Sequence, residues 1–201
     1  MKLRPRPTSM KAELVLEPFP HVLLRDFYTK DEMITVLDEK KRLDQHLQPP
    51  KFSGSARDKA TGRPLKFNAG LFLTDAFPNS EIVSLARRHI FQELIDQIDC
   101  SWWKDVWRMN NFESWMLSRY SDGQYYNAHR DASQHTLLVW FNTEPKQFTG
   151  GDLIFTDYNL TIPCVNNTGI IFPGPIRHEV PPVKGEGRYT LTCFTSISTP
   201  K

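Results

Sequence analysis

Alternation of apolar and polar residues dominates the second half of this chain. From Glu113 onward the helical period disappears, and short β-rich runs recur at intervals of about 8 to 12 residues with turn residues between them. This pattern predicts eight strands, over residues 115–120, 125–131, 135–142, 152–155, 160–163, 169–172, 178–180 and 189–196. Eight short strands are typical of a jelly roll, so the second half is predicted to form such a core.

Before this region the pattern predicts a strand pair and two helices. Two short apolar runs over residues 13–24 are broken by prolines and indicate paired strands. Thr29, with Glu32 three positions later, forms a capping box that marks the start of the first helix. The predicted fold class is therefore α+β and mainly β. Residues 1–112 are expected to supply strands and supporting helices, and residues 113–197 the core that holds the site.

The second helix has the clearer pattern. Asn79 or Ser80 caps it, and a broad apolar face runs on to Ile98. A strand is predicted over residues 67–74, and before it residues 51–66 form a connection that is broken by Gly and Pro and rich in Lys and Arg. Connections of this length in compact domains are usually functional or disordered, so this one is interpreted either as a mobile surface loop or as a lid over a substrate.

Size and composition fit one globular domain over residues 1–201. The chain is 39% apolar and 24% charged, which suits a single sizeable core and leaves no room for a second catalytic domain. The basic N-terminal residues Lys2, Arg4, Arg6 and Lys11 are interpreted as a solvated tail. Because the net charge is only +2, no nucleic-acid partner is expected.

Cysteine usage and hydropathy indicate a location. Cys100, Cys164 and Cys193 are odd in number and form no CxxC pair, so neither a disulfide framework nor a zinc knuckle is predicted. No apolar segment of the signal-peptide kind follows Met1, and no run of about eighteen apolar residues is present. We therefore expect a soluble, cytoplasmic protein with reduced thiols and no membrane partner.

Four residues of the second half suggest metal chemistry. His129 and Asp131 are two positions apart, and residues two apart on a strand point to the same side. His178 would have to come from a distant strand, and Arg188 follows it about ten positions later. Two imidazoles and one carboxylate hold Fe(II) on one octahedral face and leave the other positions open. An HxD pair alone arises by chance, so the prediction depends on the order and spacing of the whole set.

This order resembles the prolyl-4-hydroxylase-like branch of the Fe(II)/2-oxoglutarate dioxygenases, whose motif is HxD, a later His, and a Lys or Arg beyond it. The residues that carry the resemblance are His129, Asp131, Gly150, Gly151, Phe172, Pro173, Gly174, His178, Val180, Pro182, Val183, Arg188 and Thr192. It covers residues 120–194, and the N-terminal part agrees only in its general run of strands and helices. The resemblance implies a double-stranded β-helix (jelly-roll) core buttressed by helices. It also implies Fe(II) held by His129, Asp131 and His178, with 2-oxoglutarate and O2 as co-substrates and ascorbate as an accessory reductant.

The co-substrate is expected near Arg188. The planar fork of this side chain matches the distal C5 carboxylate of 2-oxoglutarate, and Thr192, four positions on and thus on the same strand face, adds a hydroxyl. The resemblance assigns a 2-oxoglutarate contact to Tyr120. The apolar walls of the pocket are expected at Leu138, Trp140 and Leu153. Trp140 stands where several relatives have a tyrosine that bonds the carboxylate, so that contact is altered or missing here.

The substrate is less well defined. The resemblance places Tyr126 at the substrate mouth and Phe194 in the same cavity. The basic residues of the 51–66 connection favour an acidic or carboxylate-bearing substrate, with Arg57 as a binding candidate. These residues are Arg57, Lys59, Arg63 and Lys66. Ser133 stands where collagen-type prolyl hydroxylases carry an arginine, which weakens the inference of a prolyl target.

The leading function is hydroxylation of an unactivated C–H bond on a prolyl or other residue of a protein or peptide. The alternative is hydroxylation of a free amino acid or another small metabolite. A nucleic-acid demethylase of the AlkB type is disfavoured because no arginine follows Arg188. An inactive binding module is disfavoured because the motif is intact, and a zinc hydrolase because no general base is obvious. The sequence predicts no oligomeric state.

Overall fold

The computed structural model describes residues 10–198, so Lys2, Arg4 and Arg6 of the predicted tail lie outside the described residues. Strands make up most of the regular structure. They are β1 Lys11–Val15, β2 His21–Arg25, β3 Ala69–Phe72, β4 Phe112–Tyr120, β5 Tyr126–His129, β6 His135–Phe141, β7 Phe148–Gly150, β8 Leu153–Phe155, β9 Leu160–Ile162, β10 Thr168–Pro173, β11 His178–Val180, β12 Val183–Gly185 and β13 Arg188–Ser196. The α-helices are α1 Lys30–Leu43, α2 Leu73–Ala76, α3 Glu81–Arg88, α4 Leu94–Gln97 and α5 Ser101–Arg108.

Both predicted helix starts are confirmed by their capping bonds. The Thr29 hydroxyl accepts from the Glu32 backbone N–H at 3.2 Å, and the Glu32 carboxylate accepts from the Thr29 N–H at 2.8 Å. Ser80 is the cap of α3, because its hydroxyl accepts from the Val83 N–H at 3.3 Å. A π-helical segment, His89–Glu93, joins α3 to α4 and was not expected from the sequence. The second predicted helix is thus one helical stretch with a wider turn in its middle.

Two antiparallel sheets contain the eight predicted strands. The larger has seven strands in the order β1-β2-β10-β6-β13-β4-β3, and the smaller has four in the order β5-β11-β8-β9. The N-terminal strands thus extend both edges of the larger sheet. A separate two-stranded pair, β12 with β7, was not predicted.

The larger sheet is covered on both faces. On one face the helices pack against it, burying Val36, Ile90, Trp107, Leu117 and Leu191 in a single cluster. The other face packs against the smaller sheet through a second cluster that includes Tyr120, Trp140, Leu153, Phe155 and Phe172. Since side chains alternate along a strand, each central strand sends every second residue toward the space between the sheets. The site is built in that space.

One strand boundary near the site and one helix differ from the sequence expectation. Strand β5 ends at His129, two residues earlier than predicted, so Asp131 lies in the turn that follows the strand. Helix α5 was not predicted because it has only eight residues and no side-chain cap. Its buried residues Trp103 and Trp107 lie four apart on one face, which is the periodic signal that marks it. No helix in the described part of the chain is long and apolar enough to cross a membrane.

Candidate active site

His129 and His178 are brought together by the pairing of β5 with β11, where they are direct partners. Their ring centroids lie 4.3 Å apart. Asp131 reaches the same point from the turn after β5, which is held by the bond from its backbone N–H to the Gly174 carbonyl at 2.9 Å. One ligand atom from each of the three side chains falls within 4.8 Å of the others. The predicted triad therefore forms one cluster with the spacing of a metal site.

Hydrogen bonds fix the orientation of both imidazoles. The Nδ1 atom of His129 lies 2.8 Å from the Asn127 carbonyl, and that of His178 lies 2.8 Å from the Ile176 carbonyl. A carbonyl only accepts, so each Nδ1 donates a proton to it, and each Nε2 is the ring atom turned toward Asp131. Both Nε2 atoms lie 3.6 Å from an oxygen of Asp131. This arrangement is the one in which two histidines and a carboxylate can bind one cation.

The electrostatics of the triad also suit a cation. Burial lowers the pKa of His129 to about 3, with a further contribution from His178, so the ring is held neutral as a metal ligand must be. Burial raises the pKa of Asp131, although its bond from the Thr136 hydroxyl at 2.6 Å and the nearby His178 act in the opposite direction. A bound divalent ion would offset the cost of burying the Asp131 charge. The residues present therefore fit Fe(II).

Arg188 is a buried cation at the start of β13. Arg188 is 1% exposed. Its Nε donates to the Gly151 carbonyl at 2.8 Å, and one of its terminal nitrogens donates to the Thr190 hydroxyl at 3.0 Å. Its guanidinium lies over the Tyr120 ring, 4.3 Å from the centroid. Within residues 10–198 no carboxylate forms an ion pair with it. An anion with a planar, two-oxygen end would complete its hydrogen bonding.

Gly151 makes room for this arginine. Its φ of +70° lies in the left-handed region, and a Cβ atom there would fall 2.6 Å from both Cδ and Nε of Arg188. Any larger residue would push the guanidinium aside and strain the backbone. Glycine at position 151, the second residue of the Gly150-Gly151 pair in the sequence pattern, is thus explained by the close approach of the Arg188 side chain.

A cavity of about 300 Å³ connects the triad with Arg188. We call it the site cavity. Six of the predicted co-substrate and substrate residues line it, namely Tyr120, Tyr126, Leu138, Leu153, Thr192 and Phe194. Along β13 the lining residues are Arg188, Thr190, Thr192 and Phe194, whereas Leu191 and Cys193 face the helices. One strand therefore supplies a continuous row of cavity-facing side chains.

Trp140 is placed differently from the prediction. It is buried and lies opposite Thr190 in the β6–β13 ladder, so it belongs to the cavity-facing side of the sheet, but it is not part of the cavity lining. Its indole N–H has no hydrogen-bond partner among the described residues. Trp140 thus contributes an unsatisfied donor near Arg188 rather than an apolar wall.

Tyr126 contacts a metal-ligand candidate directly. Its ring stacks on that of His129 at a centroid distance of 3.6 Å and an interplanar angle of 9°. Its hydroxyl accepts from the Ala56 backbone N–H at 2.9 Å. Tyr126 therefore links the 51–66 connection to the triad, besides lining the cavity.

The 51–66 connection is a hairpin that docks on β5. The Leu65 N–H donates to the Ala56 carbonyl at 2.9 Å within it, and the Asn127 N–H donates to the Leu65 carbonyl at 3.0 Å. Gly54, Ser55, Ala56 and Lys66 of this segment line the site cavity. We call residues 51–66 the cover hairpin.

Arg57 does not reach the cavity, contrary to its prediction as a substrate-binding residue. It is exposed, and its guanidinium donates to the Gly62 carbonyl at 2.9 Å across the hairpin. The Arg57 backbone also pairs with that of Pro64, and the side chain lies toward the tip of the hairpin. The positive charge of this connection therefore enters the cavity through Lys66 alone.

Lys66, Met116, Ser118 and Thr190 are among the cavity-lining residues that sequence reasoning did not assign to the site. Thr190 could have been found, because it lies midway between Arg188 and Thr192 and side chains two apart share a strand face. Met116 and Ser118 follow from the same rule applied backward from Tyr120. Lys66 carried no such signal, since a lysine in a polar connection is normally solvated.

Comparison with known proteins agrees with this geometry. The family model described as the 2OG-Fe(II) oxygenase superfamily matches residues 115–196. An uncharacterized PKHD-type hydroxylase from Synechocystis is 36% identical over 83 residues. That match covers 32% of this chain and 27% of the relative, so the chain spans about a quarter of that protein's length.

Solved structures share the fold over most of the chain. A Pseudomonas putida prolyl-4-hydroxylase gives a TM-score of 0.63 at 17% identity, covering 89% of this chain and 93% of that one. The viral collagen prolyl hydroxylase of Paramecium bursaria Chlorella virus 1, solved with 2-oxoglutarate, gives 0.57 at 18% identity, with 88% and 96% covered. A Trichoplax adhaerens prolyl hydroxylase, in complex with a peptide fragment of the hypoxia-inducible factor, gives 0.57 at 15% identity, with 88% and 83% covered.

The family match contains the whole triad and Arg188, and these structures extend the shared fold into the N-terminal strands and helices. Over residues 115–196 the sequence therefore matches the 2OG-Fe(II) oxygenase superfamily, and the fold of the chain is similar to that of prolyl 4-hydroxylases.

Proposed function

We propose that this protein is an Fe(II)- and 2-oxoglutarate-dependent dioxygenase that hydroxylates a C–H bond on a prolyl or other residue of a protein or peptide. One observation carries the proposal: a single cavity joins the cluster of His129, Asp131 and His178 to the buried cation Arg188, which forms no ion pair with any carboxylate of residues 10–198. A metal site next to an anchor for a dicarboxylate is what this chemistry requires.

We further propose that the two sheets form a double-stranded β-helix. The core strands of the larger sheet run in the order β10-β6-β13-β4, and those of the smaller in the order β5-β11-β8-β9. From β4 to β6 the chain crosses to the smaller sheet and back, and it alternates again before β13. Such alternation between facing sheets is the winding of a jelly roll.

The roles of the ligands follow from their atoms. Fe(II) would be held by Nε2 of His129, Nε2 of His178 and a carboxylate oxygen of Asp131, and the C5 carboxylate of 2-oxoglutarate by the guanidinium of Arg188. Thr190 offers a hydroxyl beside that carboxylate, Thr192 lines the same cavity farther along β13, and the Tyr120 ring packs against the guanidinium. When bound, Fe(II) with 2-oxoglutarate supplies the oxidation of the C–H bond.

The chain's own residues position these groups and limit water. Leu138 and Leu153 give the co-substrate end an apolar wall, which strengthens the pairing of Arg188 with a carboxylate. The Thr136 hydroxyl orients Asp131 by donating to one of its oxygens at 2.6 Å, and the Asn127 and Ile176 carbonyls hold the two imidazoles. Tyr126 and the cover hairpin close the substrate side. The binding energy of the substrate can then act on groups that are already oriented.

A peptide substrate is supported by the fold shared with prolyl hydroxylases. A free amino acid or another small metabolite is the second candidate. It is favoured by the cavity volume of about 300 Å³, at the small end of the ~300 to 1,000 Å³ typical of ligand sites. We also propose a cytoplasmic location, which the free thiols Cys100, Cys164 and Cys193 support.

Succinate formation tests the function. Protein reconstituted with Fe(II) should convert 2-oxoglutarate to succinate in air, faster with a true substrate, and the substrate should gain one oxygen atom by mass spectrometry. Proline-containing peptides, free amino acids and oligonucleotides form the panel. Succinate formation that needs no Fe(II), or that persists in Asp131→Ala, would contradict the proposal.

A further inference from the structure

The site cavity contains a second buried cation, Lys66. The residue is 1% exposed. Its ammonium donates to the Ser53 carbonyl at 3.2 Å and to the Ser53 hydroxyl at 3.0 Å, and it lies 3.6 Å from the Met116 sulfur. As with Arg188, no carboxylate among residues 10–198 forms an ion pair with it.

These acceptors leave the charge of Lys66 uncompensated. All three are neutral, and a thioether sulfur is only a weak acceptor. Burial alone lowers the pKa of Lys66 to about 8. Near neutral pH most molecules therefore still carry a charged Lys66, and burying this charge costs free energy. An anion in contact with the ammonium would offset this cost. Such an anion would be a stronger acceptor than the Met116 sulfur, which is the weakest of the three present partners.

Lys66 and Arg188 lie at opposite ends of the cavity. Lys66 contacts Met116, and Arg188 contacts Tyr120, four residues farther along β4. At about 3.3 Å per residue these two positions are roughly 13 Å apart. A 2-oxoglutarate anchored at Arg188 therefore leaves Lys66 for a different anion.

The surroundings of Lys66 bring polar groups to this end of the site cavity. A Cβ atom at Gly70 would fall 2.6 Å from the ammonium nitrogen, so glycine at this position leaves room for the ammonium group itself. Ser118, which pairs with Gly70 across the β3–β4 ladder, also lines the cavity. Lys66 and Ser118 thus give this end of the cavity one ammonium and one hydroxyl, the kinds of group that recognise a carboxylate.

We propose that Lys66 binds a carboxylate of the substrate. The substrate then carries a carboxylate close to the carbon that is hydroxylated, supplied by a free amino acid, by the C-terminal residue of a peptide or by an acidic side chain next to the target. This inference rests on the proposed hydroxylase function and specifies its substrate class. Exposed Arg57, the residue first expected to serve this purpose, takes no part.

Matched acid and amide probes test the proposal by binding. The protein is loaded with Fe(II) and 2-oxoglutarate under argon, so that no turnover occurs, and is titrated by calorimetry. The first arm compares the twenty L-amino acids with their carboxamides. The second compares acetylated Ala-Ala-Pro with a free or an amidated C-terminus. The third compares end-blocked Ala-Ala-Pro-Glu-Ala with Ala-Ala-Pro-Gln-Ala.

Wild-type protein should bind the acid about tenfold to a hundredfold more tightly than its amide in at least one arm, and that arm identifies the source of the carboxylate. Lys66→Met should abolish the preference and leave 2-oxoglutarate affinity unchanged. Lys59→Met removes an exposed lysine of the same hairpin and should keep the preference. Equal affinity for acids and amides in every arm, or a preference that survives Lys66→Met, overturns the proposal.

A purely structural role for Lys66 predicts a different result. If the ammonium only held Ser53, Lys66→Met would lower the melting temperature and the acid and amide would bind alike in both proteins. If it serves a substrate carboxylate, methionine fills the same space without an unpaired charge, and the melting temperature should hold or rise. Failure of the hydroxylase function is separately visible, because Fe(II)-dependent succinate formation in air would be missing while carboxylate binding under argon is still measured.

Discussion

His129 and His178 are direct partners in the β5–β11 ladder, so one pair of strands holds both imidazoles of the triad. Each ring is also bonded through Nδ1 to a carbonyl two residues earlier in its own strand region. The positions of the two Nε2 atoms are therefore set by backbone geometry. Metal binding should need little rearrangement, and loss of one ring should remove a ligand without disturbing the other.

His178→Ala is expected to abolish high-affinity Fe(II) binding and all substrate-coupled succinate formation, because only two ligands remain. Iron content after dialysis and circular dichroism measure the metal and the fold. Exposed His46→Ala is the matched control and should retain iron. A His178→Ala protein that keeps both iron and activity would remove His178 from the ligand set.

Arg188→Ala should weaken 2-oxoglutarate binding on the order of a hundredfold, about 3 kcal/mol, because the C5 carboxylate loses a charge-assisted partner in a buried site. Arg188→Lys should retain part of the affinity, since the charge remains and the planar fork is lost. Calorimetry measures both variants, with exposed Arg108→Ala as the control. The assignment fails if the alanine variant binds 2-oxoglutarate as the wild type does.

Gly151→Ala and Gly62→Ala separate crowding of the arginine from backbone strain. Both glycines have φ near +70°, at +70° and +67°, but only at Gly151 would a Cβ atom meet Arg188, whereas nothing lies within 4 Å at Gly62. Both variants should lose about 1 kcal/mol of stability. Gly151→Ala alone should also raise the Kd for 2-oxoglutarate. Equal co-substrate affinities in the two variants would show that Arg188 tolerates the added methyl group.

Tyr126→Phe removes the hydroxyl that accepts from the Ala56 N–H and should loosen the cover hairpin. We expect faster limited proteolysis near residues 57–63 and more succinate formed without substrate, because the cavity is less well closed. Tyr125→Phe is the control, since Tyr125 stacks on Phe67 outside the cavity. The prediction that substrate orders the hairpin is tested in the same assay: substrate should protect the wild type, and equal cleavage with and without it would leave the segment a solvated connection.

The stability of the metal-free protein should fall as pH drops from about 6.5 toward 4. Burial lowers the pKa of His135 from 6.5 to about 4, so in this window the unfolded chain binds a proton that the folded protein does not. The free energy of unfolding should therefore decrease by up to roughly 1.4 kcal/mol per pH unit from this residue. Urea unfolding at pH 7, 6 and 5 measures the slope. His135→Gln should reduce the slope, with the remainder coming from other buried groups such as His129, and exposed His46→Gln should leave it unchanged. A slope unchanged in His135→Gln would assign the whole effect to other groups.

The strands of the core could be predicted because their burial is periodic. In β13, Leu191 and Cys193 pack toward the helices while Thr190 and Thr192 face the cavity, and the sequence shows that alternation. Strands β7 and β12 were not predicted; they pair with each other where the chain around Gly150 lies against Val183. Their existence depends on tertiary pairing, which a single sequence does not reveal.

The candidate site divides in the same way. The triad and Arg188 were predictable because each is an unusual residue at a fixed spacing. Arg57 and Lys66 looked alike in sequence, as two basic residues of one polar connection. In the folded hairpin, which pairs with β5, Arg57 is exposed to solvent and Lys66 is buried. The difference between the two residues depends on the register of this pairing, which only the folded chain defines.

Strand β13 lines the site cavity with the row Arg188, Thr190, Thr192 and Phe194. The strand therefore sets the distance between the proposed co-substrate anchor Arg188 at one end of the row and the substrate-side aromatic Phe194 at the other. Substitutions on this strand keep the spacing and the orientation of its side chains, whereas a change in the length of the strand does not. Deleting one residue within it would turn the remaining side chains over, presenting Leu191 and Cys193 to the chamber and the polar row to the helices. We therefore expect β13 to accept exchanges of side chains for altered substrate preference and to reject every single-residue insertion or deletion.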